Sequence, residues 1–316
     1  MSGRAYYTNI YVIINPAAGQ DVPVLATLNT VFREAGVRWH AMVTHEAGDG
    51  YRLATEAIAA GADVVAAYGG DGTVAEVASA LIDTDIPLAI LPGGTANVLS
   101  LELGIPGNLT QAARLACGVK GRLRKIDAGD VNGQHFLLRV GIGFEASLVT
   151  QADRQLKERL GFFAYVWSGM RNLRHPPKAR YRMVLDGKEV ECDGVTCGIA
   201  NSGNLGQPGI KLGKAVDVSD GLLDVLLVEQ ASVQAVVNLL GSIFGIRETP
   251  IENTAAQFAT WNSELQQHVR HWQAREISLS VAPRQPIQYD GEVLNSLSGE
   301  IVCKVLPKAL TVIVPA

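Results

Sequence analysis

The chain has 316 residues, 47% hydrophobic and 18% charged, with a formal net charge of −4. That length allows two ordinary domains, and the apolar content excludes wholesale disorder. The weak negative charge gives no global attraction to nucleic acid, so no nucleic-acid partner is expected.

The first part alternates strand-like and helix-like segments. NIYVIINP reads as a buried strand, followed by a helix over Asp21–Ala35 that stops at Gly36. VRWHAMVT is a strand, and DGYRLATEAIAAG is a helix stopped by Gly61. ADVVAAY is a strand before the helix TVAEVASALI. IPLAILP is the next strand, followed by TANVLSLELG, and NLTQAARLACG closes the series as a helix. Strands separated by helices of this length predict a parallel sheet covered on both faces.

Near Arg124 the pattern changes. LRKIDAGDVNGQHFLLRVGIGFEA reads as strands joined by a turn at Asn132 and Gly133, and a helical segment is expected over about 151–174. Further strand-like stretches follow, with a hairpin signal at Asp186. This half reads as a largely antiparallel β domain. The spacing predicts an α/β domain over 1–125 and a β-rich domain over 126–305. The last stretch, 306–316, either pairs in the second domain or returns to the first.

The four cysteines, Cys117, Cys192, Cys197 and Cys303, lack the spacing of a zinc or redox site and fit reduced thiols in a cytoplasmic protein. MSGRAYYTNIYVIINP has one arginine and a short apolar run ended by Pro16, unlike an export signal. AVVNLLGSIFGI falls short of the roughly 20 apolar residues of a membrane span. His268 and His271 lack an accompanying carboxylate motif and read as surface histidines rather than metal ligands. The aromatic, basic segment over 154–178 reads either as a helix packed on the β domain or as a surface that docks on a bilayer.

Two glycine loops concentrate the chemistry. In AAYGGDGTVAEVA, Asp71 and its glycines follow a buried strand and open a helix. Ligands of parallel sheets bind at the carboxyl ends of strands, and a helix start presents free N–H groups to an anion. Thr73 is placed to cap that helix. A plain βα turn is the competing reading. The stretch matches neither the dinucleotide fingerprint nor the P-loop pattern. LPGGTANVLS repeats the arrangement at the next strand end with Gly93, Gly94 and Thr95. Neighbouring strand ends lie about 5 Å apart, so the two loops could cradle one polyphosphate. INPAAG adds a third turn.

NPAAG, GGDGTVAEV, PGGTANVLS, DVSDGLLDV and YDGE occur in the order seen in the diacylglycerol-kinase catalytic-domain family, which the chain resembles over nearly its whole length. That family includes bacterial diacylglycerol and lipid kinases and sphingosine kinases. The resemblance implies an ATP-binding α/β domain related to NAD kinases and phosphofructokinases, a β-sandwich-like second domain, and a cleft between them for a lipid. It places Asn15, Thr44, Gly69, Gly70, Asp71, Gly72, Thr73, Gly94 and Thr95 around ATP, with Glu76 in support. It makes Asp71, Asp290 and Glu292 the catalytic acids. The base that takes the acceptor's proton is Asp290 or Glu292. Asp127 joins the acidic network around the catalytic Mg²⁺. In bacterial relatives the equivalent of DVSDGLLDV holds a structural Mg²⁺, here by the Asp220 side chain and the carbonyls of Asp217 and Leu222. A tight turn before a strand is the competing reading of that stretch.

The implied activity is ATP- and Mg²⁺-dependent phosphorylation of diacylglycerol or a similar amphiphile. It implies a cytoplasmic enzyme touching the membrane transiently, and leaves a homodimer open. A soluble-substrate kinase of the NAD-kinase type is one alternative, against which DVSDGLLDV and the late YDGE speak. A non-catalytic nucleotide- or lipid-binding regulator is the other, motivated by Ala75 and Val98, where many relatives carry Asn and Asp.

Overall fold

The computed structural model describes residues 7–18, 22–143, 178–203, 216–229, 269–293 and 300–316. The expected helix over 151–174, the apolar stretch 235–246 and His268 lie outside these residues. The chain divides into two compact units. The first holds Met1–Ala128, Asp217–Gly221 and Leu306–Ala316; the second holds Gly129–Val216 and Leu222–Val305.

In the first unit, strands and helices alternate as β1 (Asn9–Ile14), α1 (Val24–Ala35), β2 (Arg38–Val43), α2 (Asp49–Ala59), β3 (Val64–Gly69), α3 (Asp71–Leu81) and β4 (Leu88–Pro92). Then come α4 (Val98–Glu102), α5 (Leu109–Ala116) and β5 (Gly121–Val131), whose last three residues belong to the second unit. The sheet order is β2-β1-β3-β4, all parallel. Every residue of β3 and β4 is buried, as unbroken apolar runs require when helices cover both faces. α1 turns Leu28, Val31 and Phe32 inward and stops where Gly36 takes a φ of 72°. Gly36 N–H then donates to Arg33 O and Val37 N–H to Phe32 O, which satisfies the last carbonyls of the helix. The helix starts at Val24 rather than Asp21, with Pro23 at its N-cap. α5 is capped by the Asn108 side chain, which accepts from Gln111 N–H.

In the second unit, β6 (Gln134–Phe136), β7 (Arg139–Gly143), β8 (Ala179–Leu185), β9 (Lys188–Gly194), β10 (Thr196–Ala200) and β11 (Leu223–Val228) precede β12 (Val269–Ala274). β13 (Glu276–Ala282), β14 (Ile287–Tyr289), β15 (Glu292–Val293) and β16 (Ile301–Pro315) complete the series. One antiparallel sheet runs β12-β11-β10-β7-β14-β15. In the other, β13 pairs with β8 and with Ile301–Lys304 of β16, and β8 pairs with β9. Tyr181, Met183, Ile277 and Leu279 of this second sheet pack in one core with Val140, Ile142, Cys197, Ile199 and Val225 of the first. The predicted hairpin turns are present. Asn132 and Gly133 take φ of 50° and 83°, and Asp186 and Gly187 take 47° and 83°. Asn and Asp before Gly are the residue types that tolerate this conformation.

β16 serves both units by chain continuity. Its later residues lie in the first unit, where Val312 pairs in parallel register with Leu88 of β4. The C-terminal stretch therefore returns to the α/β unit. The fold class read from the sequence, a parallel α/β unit and an antiparallel β unit, is the one observed.

Candidate functional site

In the first unit the turns after β1, β2, β3 and β4 leave the carboxyl edge of one parallel sheet. The turn after β3 passes directly into α3, whose N-cap is Gly70 with no side-chain hydrogen bond. A helix start without a side-chain acceptor leaves first-turn amides and the positive end of the dipole for an anion. Thr73 is not the cap expected from sequence. It lies inside the first turn, because the helix begins at Asp71, and its hydroxyl accepts from Asn15 Nδ2 at 3.0 Å.

The turn after β4 is pressed against the turn after β3. Gly69 O accepts from both Gly93 N–H at 2.9 Å and Gly94 N–H at 3.1 Å. A Cβ on Gly94 would sit 2.5 Å from Gly70 Cα, so no larger residue fits without moving backbone. Asn97, at φ 46°, clips its own loop: Oδ1 accepts from Gly94 N–H at 3.0 Å and Nδ2 donates to Gly94 O at 2.7 Å. Asp71 Oδ1 accepts from Leu99 N–H at 3.3 Å, so one oxygen of this acid faces the start of α4. Asn15 joins the third turn, with Oδ1 accepting from Ala17 N–H and its own N–H donating to Tyr68 O, both at 2.9 Å.

Glu76 supports the fourth turn. Its carboxylate accepts from Gly48 N–H at 2.9 Å and Gly50 N–H at 2.8 Å, which fixes the start of α2. Asp49 accepts from His45 N–H at 2.7 Å and Glu46 N–H at 3.2 Å, and pairs with Arg52. The His45 amide, then Arg52, hold its carboxyl down at about 2. Thr44 is buried and its N–H donates to Ile14 O at 3.0 Å. The sheet edge thus brings together Asn15, Thr44, the Gly69–Thr73 loop, Glu76 and Gly94, with Thr95 next along the chain.

Asp127 lies against the Asp217–Gly221 turn of the first unit. It is fully buried, and its oxygens accept from Gly221 N–H and Lys308 N–H, both at 2.7 Å. Its own N–H donates to Val218 O at 2.7 Å. Those bonds tie the Asp217–Gly221 turn to β5 and β16. Arg124 completes the turn, reaching Asp217 Oδ1 at 3.1 Å and Ser219 Oγ at 2.7 Å. Gly221 at φ 75° closes it. The donors expected for a cation here, the Asp220 carboxylate and the carbonyls of Asp217 and Leu222, are hard oxygens of the kind Mg²⁺ accepts. The Asp217 carbonyl accepts a long 3.4 Å bond from Asp220 N–H. The described residues hold no group of three or more His, Cys, Asp or Glu side chains that could bind a metal. A divalent ion on this turn would therefore rest on one carboxylate, carbonyls and water.

The second unit holds Asp290 and Glu292. Asp290 and Gly291, at φ 44° and 90°, form the turn between β14 and β15. The Asp290 carboxylate accepts from Leu137 N–H at 2.7 Å and from Leu138 and Arg139 N–H at 2.9 Å each. Burial pushes its pKa up to about 6, against the lowering effect of the three amides. Glu292, two residues on, is exposed. The Asp-Gly turn and the acid pair are thus both present, and the two acids differ sharply in environment.

Sequence reasoning missed Asn97, Asn201 and the Asp224–His271 pair. Asn201 Nδ2 donates to Leu137 O at 2.9 Å, fixing the segment that surrounds Asp290. His271 Nε2 meets Asp224 Oδ1 at 2.5 Å, and Asp224 is buried, so this histidine is anchored rather than idle. Only Asn97 carried a local signal, an Asn at a loop–helix junction where a left-handed residue is common.

The family model for the diacylglycerol kinase catalytic domain matches residues 9–131, and that for the YegS C-terminal NAD kinase beta sandwich-like domain matches residues 139–257. A protein of Pseudomonas aeruginosa named as a YegS-like lipid kinase is 38% identical over 215 residues, 67% of this chain and 69% of that one. A Bacillus subtilis protein named diacylglycerol kinase is 28% identical over 297 residues, 92% of each chain. A longer Synechocystis protein is 32% identical over 259 residues, and the chain spans 55% of its length. The crystal structure of a diacylglycerol kinase from Bacillus anthracis superposes with a TM-score of 0.72 at 27% identity, covering 98% of both chains.

Proposed function

The chain belongs to the diacylglycerol kinase catalytic-domain family, and on that premise we propose that it transfers the γ-phosphoryl group of ATP to a lipid hydroxyl, that of diacylglycerol or a related amphiphile. The observation that carries the nucleotide part is the joined set of turns at the sheet edge. The turns after β3 and β4 share Gly69 O, and Asn15 binds the turn after β1 to Thr73. The turn after β3 leads straight into an uncapped α3 N-terminus. Such a surface offers amides to a phosphate chain without any positioned lysine.

Phosphoryl transfer needs positioning and charge neutralisation more than covalent help. Asn15, the Gly69–Thr73 loop, Gly94 and Thr95 bind and orient the phosphates, and Asn97 and Glu76 hold the loops that carry them. Mg²⁺, when bound, neutralises charge on the phosphates, with the Asp71 carboxylate as the acid nearest the loops. Asp127 acts indirectly, by holding the Asp217–Gly221 turn on which Asp220 would take a structural ion. Glu292 is the acid that takes the acceptor's proton, since the Asp290 carboxylate already accepts three amides. Asp290 positions the Leu137–Arg139 segment beside it. Because the acceptor resides in a bilayer, the enzyme touches the membrane surface transiently.

Incubation with ATP, a panel of lipids in mixed vesicles and Mg²⁺ or Mn²⁺ is expected to yield a phosphorylated lipid. No lipid product under any divalent ion would overturn the reading, and phosphorylation of NAD in its place would install the soluble-substrate alternative.

A further inference from the structure

Tyr68 is the next-to-last residue of β3, directly before the glycine loop. It is 2% exposed, and its hydroxyl is sealed from solvent without a hydrogen-bond partner among the described residues. A buried hydroxyl left unpaired costs about 1–3 kcal/mol, and native proteins rarely keep one without a use. The ring is aimed at the nucleotide turns. A Cβ on Gly93 would lie 2.9 Å from Tyr68 Cζ, the carbon that bears the hydroxyl, and 3.2 Å from Ala18 Cβ. The tyrosine tip therefore sits beneath the junction of the turns after β1 and β4.

Several acceptors of the flanking turns are already engaged. Asn15 Oδ1 takes Ala17 N–H, Gly69 O takes two amides, and Gly94 O takes Asn97 Nδ2. Burial also pushes the phenol up, so the group stays protonated and can only donate or accept as a neutral hydroxyl. Among the described residues the hydroxyl has no acceptor, and one carried by a ligand would satisfy it.

We propose that Tyr68 is a positioning residue for the phosphate chain of the nucleotide, donating its hydroxyl to a phosphate oxygen once the turns after β1 and β4 part to admit it; this rests on the kinase reading above. The contact converts an unpaired group of the unliganded protein into a bond that only the phosphate-bearing ligand can make. It ties affinity to the phosphates rather than to the nucleoside.

The test compares the full chain with Tyr68→Phe, which removes one oxygen. ATP, ADP and adenosine are titrated with Mg²⁺ by displacement of a fluorescent ATP analogue, and thermal melting is followed without ligand. The variant is expected to melt no lower than wild type and to bind ATP and ADP about five- to tenfold more weakly, the equivalent of one hydrogen bond. Its competition by adenosine is expected to be unchanged. Equal ATP affinity in the two proteins, or an equal loss for adenosine, would overturn the inference while leaving the kinase reading standing. Absence of ATP binding by the wild-type protein would remove both.

Discussion

At Asp290 two influences act in opposite directions on one carboxyl. Three backbone amides favour the charged form, whereas burial favours the neutral one and prevails, taking the group to about 6. The folded protein then holds a proton here that the unfolded chain gives up near pH 4. The stability this residue contributes is fully present below that value and is lost as pH rises through about 6. Melting temperature followed from pH 4 to 7 should show that decline in wild type, and Asp290→Asn should flatten it. Glu292→Gln tests the other acid. Because Glu292 is exposed, the variant should melt as wild type does, while lipid phosphorylation falls about 10²–10⁴-fold if the residue is the base. Unchanged turnover would return the role to Asp290. The sequence identified these acids as a pair but not the difference between their environments. That difference depends on Leu137–Arg139, about 150 positions earlier, whose amides meet Asp290 only in the folded sheet.

At the level of elements, each βα turn was legible because glycine and proline punctuate it locally. How the turns grip one another was not, since Asn15–Thr73, Gly69–Gly94 and Asp71–Leu99 link different turns. The expectation that Thr73 caps α3 failed for that reason: a neighbouring turn had already claimed its hydroxyl. Gly94→Ala drives a methyl to 2.5 Å from Gly70 Cα, and the backbone must give. Overpacking of this kind costs about 1–3 kcal/mol, and ATP affinity measured by direct titration should fall with it. Glu76→Ala leaves Gly48 and Gly50 N–H without their acceptor at the start of α2. A loss of about 1–2 kcal/mol in denaturant unfolding is expected, comparable to removal of a helix cap.

For the molecule as a whole, the change from alternating to purely β texture announced two units, and the Asn-Gly and Asp-Gly turns announced hairpins. Two features were hidden. The Asp217–Gly221 turn belongs to the first unit although it lies deep in the second half of the sequence. β16 returns to pair Val312 with Leu88, a choice that the apolar run ALTVIVPA left open. Both are decided by long-range partners: the Asp127 carboxylate recruits the turn and Lys308 by accepting their backbone N–H groups, which no local pattern encodes. Ending the chain after Val305 would strip Leu310, Val312, Ile313 and Val314, all buried, from the first unit. The truncated protein should lose cooperative melting and fail to bind ATP, by calorimetry and titration.

The path of β16 also has a kinetic reading. A ribosome releases the amino-terminal lobe long before the strand that completes it, and at roughly 5–20 residues per second the interval is on the order of tens of seconds. Throughout that time the flank of β4 stays bare, an apolar template open to any passing strand. Nascent chains of this protein should therefore depend on chaperone cover until translation has passed Pro315, and faster elongation should improve their yield.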